Sequence, residues 1–159
     1  MMNLASWGEN KEDDLVAFEK QIGSLLPNDY RQFLLKNNGA EVNDQTFFVK
    51  GLNQEVLMDV FYGITNSESR GLTIGYWLEE LEDEIESGDL IIGRDPGGHK
   101  LLYITKGDDK GVYFWDTNHF FQQSKAGDGD TYFVADSFTQ FCESLRDFKL
   151  PLNRHVWVD

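Results

Sequence analysis

Cysteine is nearly absent from this chain. Cys142 is the only one among 159 residues, which excludes an intrachain disulfide and any cysteine-based metal cluster. Basic residues are scarce as well. Fourteen lysines and arginines stand against 28 aspartates and glutamates, a formal net charge of −14. Direct binding to nucleic acid or to an anionic membrane relies on lysine and arginine to neutralise phosphate, so neither is expected as a partner. No apolar run approaches the roughly 20 residues of a membrane span. The opening stretch MMNLASWGENKEDD has neither the basic n-region nor the apolar h-region of a signal peptide. A cytoplasmic location is the expectation.

What is present is enough for one domain with a real core. A chain of this length buries roughly 70% of its unfolded surface, and the 40% hydrophobic and 14% aromatic content is not that of a disordered chain. Residues 1–10 read as a loose lead-in, 11–148 as the folded domain and 149–159 as a tail of undetermined docking. Leu15, Phe18 and Ile22 recur at helical spacing and Gly23-Ser24 closes that helix. Pro27 suits the first turn of a second helix, Tyr30, Phe33 and Leu34 form its apolar face, and Asn38-Gly39 stops it. Strands are expected at 46–50 and 55–63; in the latter Val56, Met58, Val60 and Tyr62 lie on one side and Leu57, Asp59 and Phe61 on the other. Ile74, Trp77, Leu78, Leu81 and Ile85 predict an amphipathic helix ended by Gly88. Leu90–Ile92 is a short apolar segment, residues 99–117 read as a β-hairpin, and TYFVA (131–135) as a last strand. Ser137 and Gln140 match a capping box at the start of a closing helix whose buried face is Phe138, Phe141, Cys142 and Leu145. Clustered strands with short turns and few helices argue an α+β fold.

The stretch LIIGRDPGGHKLLYIT (90–105) tests for nucleotide chemistry. Gly93 and Gly98 have the separation of a phosphate-binding loop, but His99 stands where its lysine belongs and Lys100 where the magnesium-binding Ser or Thr belongs. A strand follows instead of a helix, and Asp95 adds negative charge. The segment is therefore read as a turn, with Pro96, Gly97 and Gly98 supplying its backbone angles. His99, His119 and His155 lack metal-ligand spacing and are read as surface or turn residues. Cys142, on an apolar helix face, is read as a small hydrophobe. Asp108-Asp109 and Asp128-Gly129-Asp130 do not continue as a calcium loop. No catalytic, cofactor or metal site is expected. Six acids in the eight residues from Glu79 to Glu86 read chiefly as the solvated side of the amphipathic helix. Like charges four apart there cost about 0.2–0.5 kcal/mol each, which packing or a basic partner must offset.

Four stretches, in order, carry a resemblance. LPNDYRQFLLKNNGA resembles the L-P-x-D-Y-x-x-F-L…N-G-G helix of the SUKH superfamily, which takes in the fungal cell-wall assembly regulator, Syd-like proteins and many bacterial immunity proteins. LIIGRDPGGHKLLYI is similar to its I-G-x-D-x-G-G-x-x-L strand–turn–strand, GVYFWDTNH to its G-V-Y-x-W-D-H segment, and VADSFTQFCESL to its closing helix. Ala40 replaces the second glycine of N-G-G, Cys142 a leucine, and Asn118 intervenes before His119. The resemblance implies a single α+β domain with a mixed, mostly antiparallel sheet and helices packed on it. It also implies protein binding in place of catalysis.

The function expected on this basis is a cytoplasmic immunity-type protein that binds and neutralises a toxin domain of a secreted polymorphic toxin. The charge of −14 suits a basic nuclease, because an acidic inhibitor imitates the field of the nuclease's own substrate. The alternative is a non-catalytic regulatory or scaffold module; an enzyme is the third reading. For the contact surface, Asp59 and Phe61 combine with Tyr103, Tyr113 and Trp115 beside Asp95 and Asp116, since aromatics mixed with acids suit a hot spot. Strand parity leaves open whether a helix covers that face and makes its aromatics core.

Overall fold

The computed structural model describes residues 2–66, 69–117 and 130–148. Its frame is one antiparallel sheet in the order β1-β2-β3-β4-β5-β6-β7, made by Leu4–Ser6, Ala40–Val49, Gln54–Phe61, Leu90–Arg94, Lys100–Ile104, Gly111–Trp115 and Thr131–Ala135; an eighth strand, β8 (Arg146–Asp147), pairs with β2. Every pairing between these strands is antiparallel, and an isolated parallel bridge joins Gly63 to Thr73. Four helices complete the domain: α1 (Glu12–Ile22), α2 (Asn28–Lys36), α3 (Ile74–Glu80) and α4 (Phe138–Ser144). The fold is α+β, as the strand and helix order implied.

The helices begin and end where local chemistry dictates. Gly23 caps α1 in the left-handed conformation, φ 73°. Glu19, buried near its end, accepts hydrogen bonds from the Leu26 N–H (2.8 Å) and from Arg31 Nε (3.2 Å), which fixes α1 against α2. Arg31 also meets Glu12 at 2.6 Å. Ser137 Oγ accepts the Gln140 N–H at the start of α4 (3.1 Å), and Gln140 Oε1 accepts the Asp136 N–H. Asp29 of α2 accepts from both the N–H and the hydroxyl of Thr139, tying α2 to α4.

Two segments depart from the sequence expectation. Leu4–Ser6 lie in the sheet as β1, paired with Val42–Ala40, where composition suggested a loose lead-in. The central helix stops at Glu80; Glu82–Glu84 form a 3₁₀ turn and Ile85 is extended. The apolar spacing through Ile85 predicted a longer helix. Continuing it would have stacked Glu79 on Asp83, Glu80 on Glu84 and Glu82 on Glu86, and that repulsion is relieved when the helix ends.

The sheet is covered on both faces. Phe61 packs on Phe33 of α2 (5.1 Å between ring centroids) and on Phe138 and Phe141 of α4. The next residue, Tyr62, points the other way and stacks on Trp77 of α3 (6.1 Å). The sheet also curls: the ring of Tyr132 in β7 lies 2.8 Å from where a side chain on Gly51 would begin, just after β2.

Candidate functional site

Asp59, Asp95 and Asp116 gather at one end of the sheet, where Val60, Arg94, Lys100 and Trp115 pair successively across β3, β4, β5 and β6. The glycine-containing stretch is the β4–β5 turn. The Asp95 carbonyl accepts the Gly98 N–H (3.1 Å), the Asp95 N–H donates to the His99 carbonyl (3.1 Å), and Asp95 Oδ1 accepts the His99 N–H (2.8 Å). Gly98 takes φ +88°. Gly93 lets β4 approach β3: a Cβ there would lie 2.5 Å from the Val60 carbonyl oxygen. The turn reading of this stretch holds.

The turn also sets His99 between two carboxylates. Its Nδ1 is 2.8 Å from Asp95 Oδ2, and its Nε2 is 3.3 Å from Asp116 Oδ1, an ion-pair distance without hydrogen-bond alignment. Phe114 backs the imidazole at 5.5 Å. His99 is therefore a turn residue, as expected, and also a half-enclosed link between the D-P-G-G turn and the W-D pair. Sequence spacing could not show this, since the two carboxylates are 21 positions apart and meet only through the β5–β6 pairing. His119 and His155 lie outside the described residues.

Beside this link sits Lys100, the first residue of β5 and only 5% exposed. Its Nζ donates to Tyr62 Oη (2.8 Å) and lies 3.3 Å from the centre of the Trp77 ring. Trp77 is held by its own indole N–H, which donates to the Gly71 carbonyl (2.7 Å). Burial, reinforced by nearby Arg94 and opposed by Asp95, pushes the Lys100 ammonium down to about 7. Burial likewise pushes the Tyr62 phenol well above its ordinary value, against the pull of Arg94. Arg94 Nε pairs with Asp59 (3.0 Å). Lys100 and Arg94 border a cleft of about 440 Å³ walled by Trp77 and Leu81, with Glu80 and Glu84 at its edge. The sequence reading met Lys100 only as a mismatch in the phosphate-loop comparison; its burial follows from the β5–β6 register and from α3, which local sequence does not show.

The seven residues proposed as one contact patch do not form one. Phe61, Tyr103 and Trp115 are 0, 3 and 1% exposed. Tyr103 meets Tyr30 of α2 (5.6 Å) and Phe138 of α4. In the β5–β6 register Tyr103 pairs with Val112, and Leu101 with Phe114, whereas Tyr113 pairs with Leu102 and Trp115 with Lys100. Tyr103 therefore lies on the opposite face from Tyr113 and Trp115. Parity within each strand had grouped them, and only the inter-strand register separates them. Tyr113 stays partly exposed, its hydroxyl donating to the Asp109 carbonyl (2.6 Å), edge-on to Phe133.

Asp59, Asp95 and Asp116 stay together at the sheet end, held by Arg94 and His99, and the exposed acids lie on another surface. Glu79, Glu82 and Glu86 rim a second cleft of about 450 Å³ whose lining includes Ile22, Leu78 and Ile85. Along 79–86 Glu79, Glu80, Glu82, Asp83 and Glu86 are exposed.

Over 156 aligned residues the chain is 24% identical to the SPbeta prophage-derived uncharacterized protein YokK of Bacillus subtilis (strain 168), covering 87% of this chain and 76% of that protein. The D-P-G-G turn and the W-D pair joined through His99 fall within residues 9–144, which match the model of the SMI1 / KNR4 family (SUKH-1), and the chain belongs to that family.

Proposed function

We propose that this protein is a cytoplasmic immunity-type protein that binds the toxic domain of a secreted toxin, a basic nuclease, and neutralises it without catalysis. The observation that carries the reading is an acidic surface on a SUKH-1 domain: a net charge of −14, with five exposed acids packed into residues 79–86. A nuclease keeps cations at its active cleft for a polyanionic substrate, and such a surface competes for them. The relative YokK is described as prophage-derived.

The contact surface we assign to the 79–86 segment and the adjoining cleft. Carboxylates rim it for lysine and arginine heads, while Ile22, Leu78 and Ile85 accept the aliphatic stems. Phe61, Tyr103 and Trp115 take no part, being core.

The test is co-expression with the C-terminal domain of the nearest encoded secreted protein, scored for survival and for a purifiable complex. Rescue with a stable complex supports neutralisation. Toxicity without rescue, or a harmless neighbour, overturns it in favour of a regulatory or scaffold module.

A further inference from the structure

The cleft under α3 holds an arrangement that the acidic surface does not explain. In a molecule with twice as many acids as bases, Lys100 and Arg94 line one cleft together. Arg94 has Asp59 for a partner. Among the described residues Lys100 has no carboxylate at ion-pair distance, and Asp95 acts on it only from farther off. An ammonium carries three N–H donors. Tyr62 Oη takes one and the face of Trp77 receives the charge, both neutral groups. No carboxylate within the described residues forms an ion pair with it, although its side chain is almost wholly removed from water. A buried cation without a counter-charge is costly: it either gives up its proton, as the fall of Lys100 to about 7 reflects, or is held charged by an anion that joins it.

We propose that this cleft receives one carboxylate of the protein partner, an aspartate or glutamate side chain flanked by basic residues, which pairs with Lys100 and Arg94 against the Trp77 ring. The proposal rests on the protein-partner reading above and adds the chemistry of one contact to it. The edge of the cleft selects the ligand. Glu80 and Glu84 repel any bare anion, a doubly charged phosphate most, and a carboxylate enters because the lysine or arginine on either side of it meets them. Trp77 and Leu81 give its methylenes an apolar wall. The surface is thus mostly acidic with one inverted point, so a basic protein lacking the carboxylate leaves Lys100 uncompensated, which favours the right partner over others.

Lys100 contacts Tyr62, just after β3, and Trp77 of α3, and shares its cleft with Glu80 of α3, Glu84 of the 3₁₀ turn and Arg94. Asp95 acts on it from the turn, with His99 and Asp116 next to it. Because a carboxylate pairs with the ammonium form, and that form is lost above about 7 in the free protein, affinity falls as pH rises from 7 to 9. Binding in turn raises the pH at which Lys100 titrates.

The experiment titrates the labelled full chain with the peptide acetyl-Lys-Glu-Lys-amide, followed by NMR at the Trp77 indole N–H and the Lys100 ε-carbon. The controls are acetyl-Lys-Gln-Lys-amide and inorganic phosphate. The glutamate peptide is expected to shift both resonances saturably and to raise the Lys100 midpoint by a pH unit or more. The glutamine peptide should bind at least tenfold more weakly, and Lys100→Met should abolish the response. Equal response to the two peptides, a stationary midpoint in the unmutated protein, or a stronger response to phosphate overturns the proposal. The peptide needs no toxin. Failed rescue with a bound peptide therefore removes the immunity reading alone, and rescue without peptide response removes the carboxylate site alone.

Discussion

Lys100 makes folding depend on pH in a direction unusual for a lysine. Burial, with Arg94 second, brings it from 10.5 to about 7 in the folded chain, while the unfolded chain keeps its proton to the ordinary value. Between those limits the unfolded state binds more protons, so this residue's contribution makes stability rise with pH, by at most about 1.4 kcal/mol per unit. Below about 7 both states are protonated and the contribution is flat. Lys100→Met should therefore exceed the parent in stability most at pH 7 and less at pH 9, measured by urea unfolding. A constant difference across that window would place the lysine near its ordinary value. Trp115→Ala should cost about 3–5 kcal/mol, since the indole is 1% exposed; an unchanged melting temperature would return Trp115 to the surface. Cys142, whose thiol is pushed to about 12 by burial and then by Asp29 and Glu143, should alkylate far more slowly at pH 8 than a free thiol. The packing role of Cys142 was legible from its place on an apolar helix face. The roles of Phe61, Tyr103 and Trp115 were not. With helices on both faces of the sheet, both parities of β3, β5 and β6 carry large side chains, and alternation loses its meaning.

At the scale of elements, local signals were readable wherever local chemistry decided the outcome. Gly23 ends α1, and Ser137 opens α4. Thr131–Ala135 form a strand because a β-rich run lies between turn signals. Ser137→Ala should lower stability by about 1 kcal/mol through the lost Gln140 N–H acceptor, read by chemical denaturation. Phe138→Ala, which empties a position shared by Tyr30, Phe33, Phe61 and Tyr103, should cost about 3–5 kcal/mol. The end of α3 was misjudged because apolar spacing continues to Ile85 while charge repulsion grows from Glu79. Substituting Glu84→Lys turns one repulsive pair attractive and should lengthen the helix, seen as added α-helical signal in circular dichroism. No gain would mean that packing, and not charge, stops α3 at Glu80. β1 and β8 were illegible for a different reason: strands of three and two residues are too short to show a period, and only the edge of β2 defines them.

For the whole molecule the charge of −14 acts at a distance. Raising salt from 50 to 500 mM shortens the screening length severalfold, so association with a basic partner should slow while dissociation changes little, measured by stopped flow. A salt-independent on-rate would remove electrostatic steering from the proposed function. The fold class was legible from the order of strands and helices, because a run of strands with short turns leaves an antiparallel sheet as the economical solution. The tail 149–159 lies outside the described residues.

The outer side of β2 is shared between the two parts of the chain farthest apart in sequence. β1 covers Ala40–Val42, β8 covers Gln45 and Thr46, and the sheet register shifts between them. The buried Gln45 amide holds both: its Oε1 accepts the Asn3 N–H (2.7 Å) and its Nε2 donates to Asp147 (3.2 Å). Without these two scraps of strand, the outward peptide groups of β2 between Ala40 and Thr46 would lose their strand partners, a template on which a second copy could pair. The cover that blunts this edge is only five residues long. A truncation or bulky fusion that pulls either scrap away would leave the core aromatics untouched and still turn a monodisperse solution into one that aggregates with concentration.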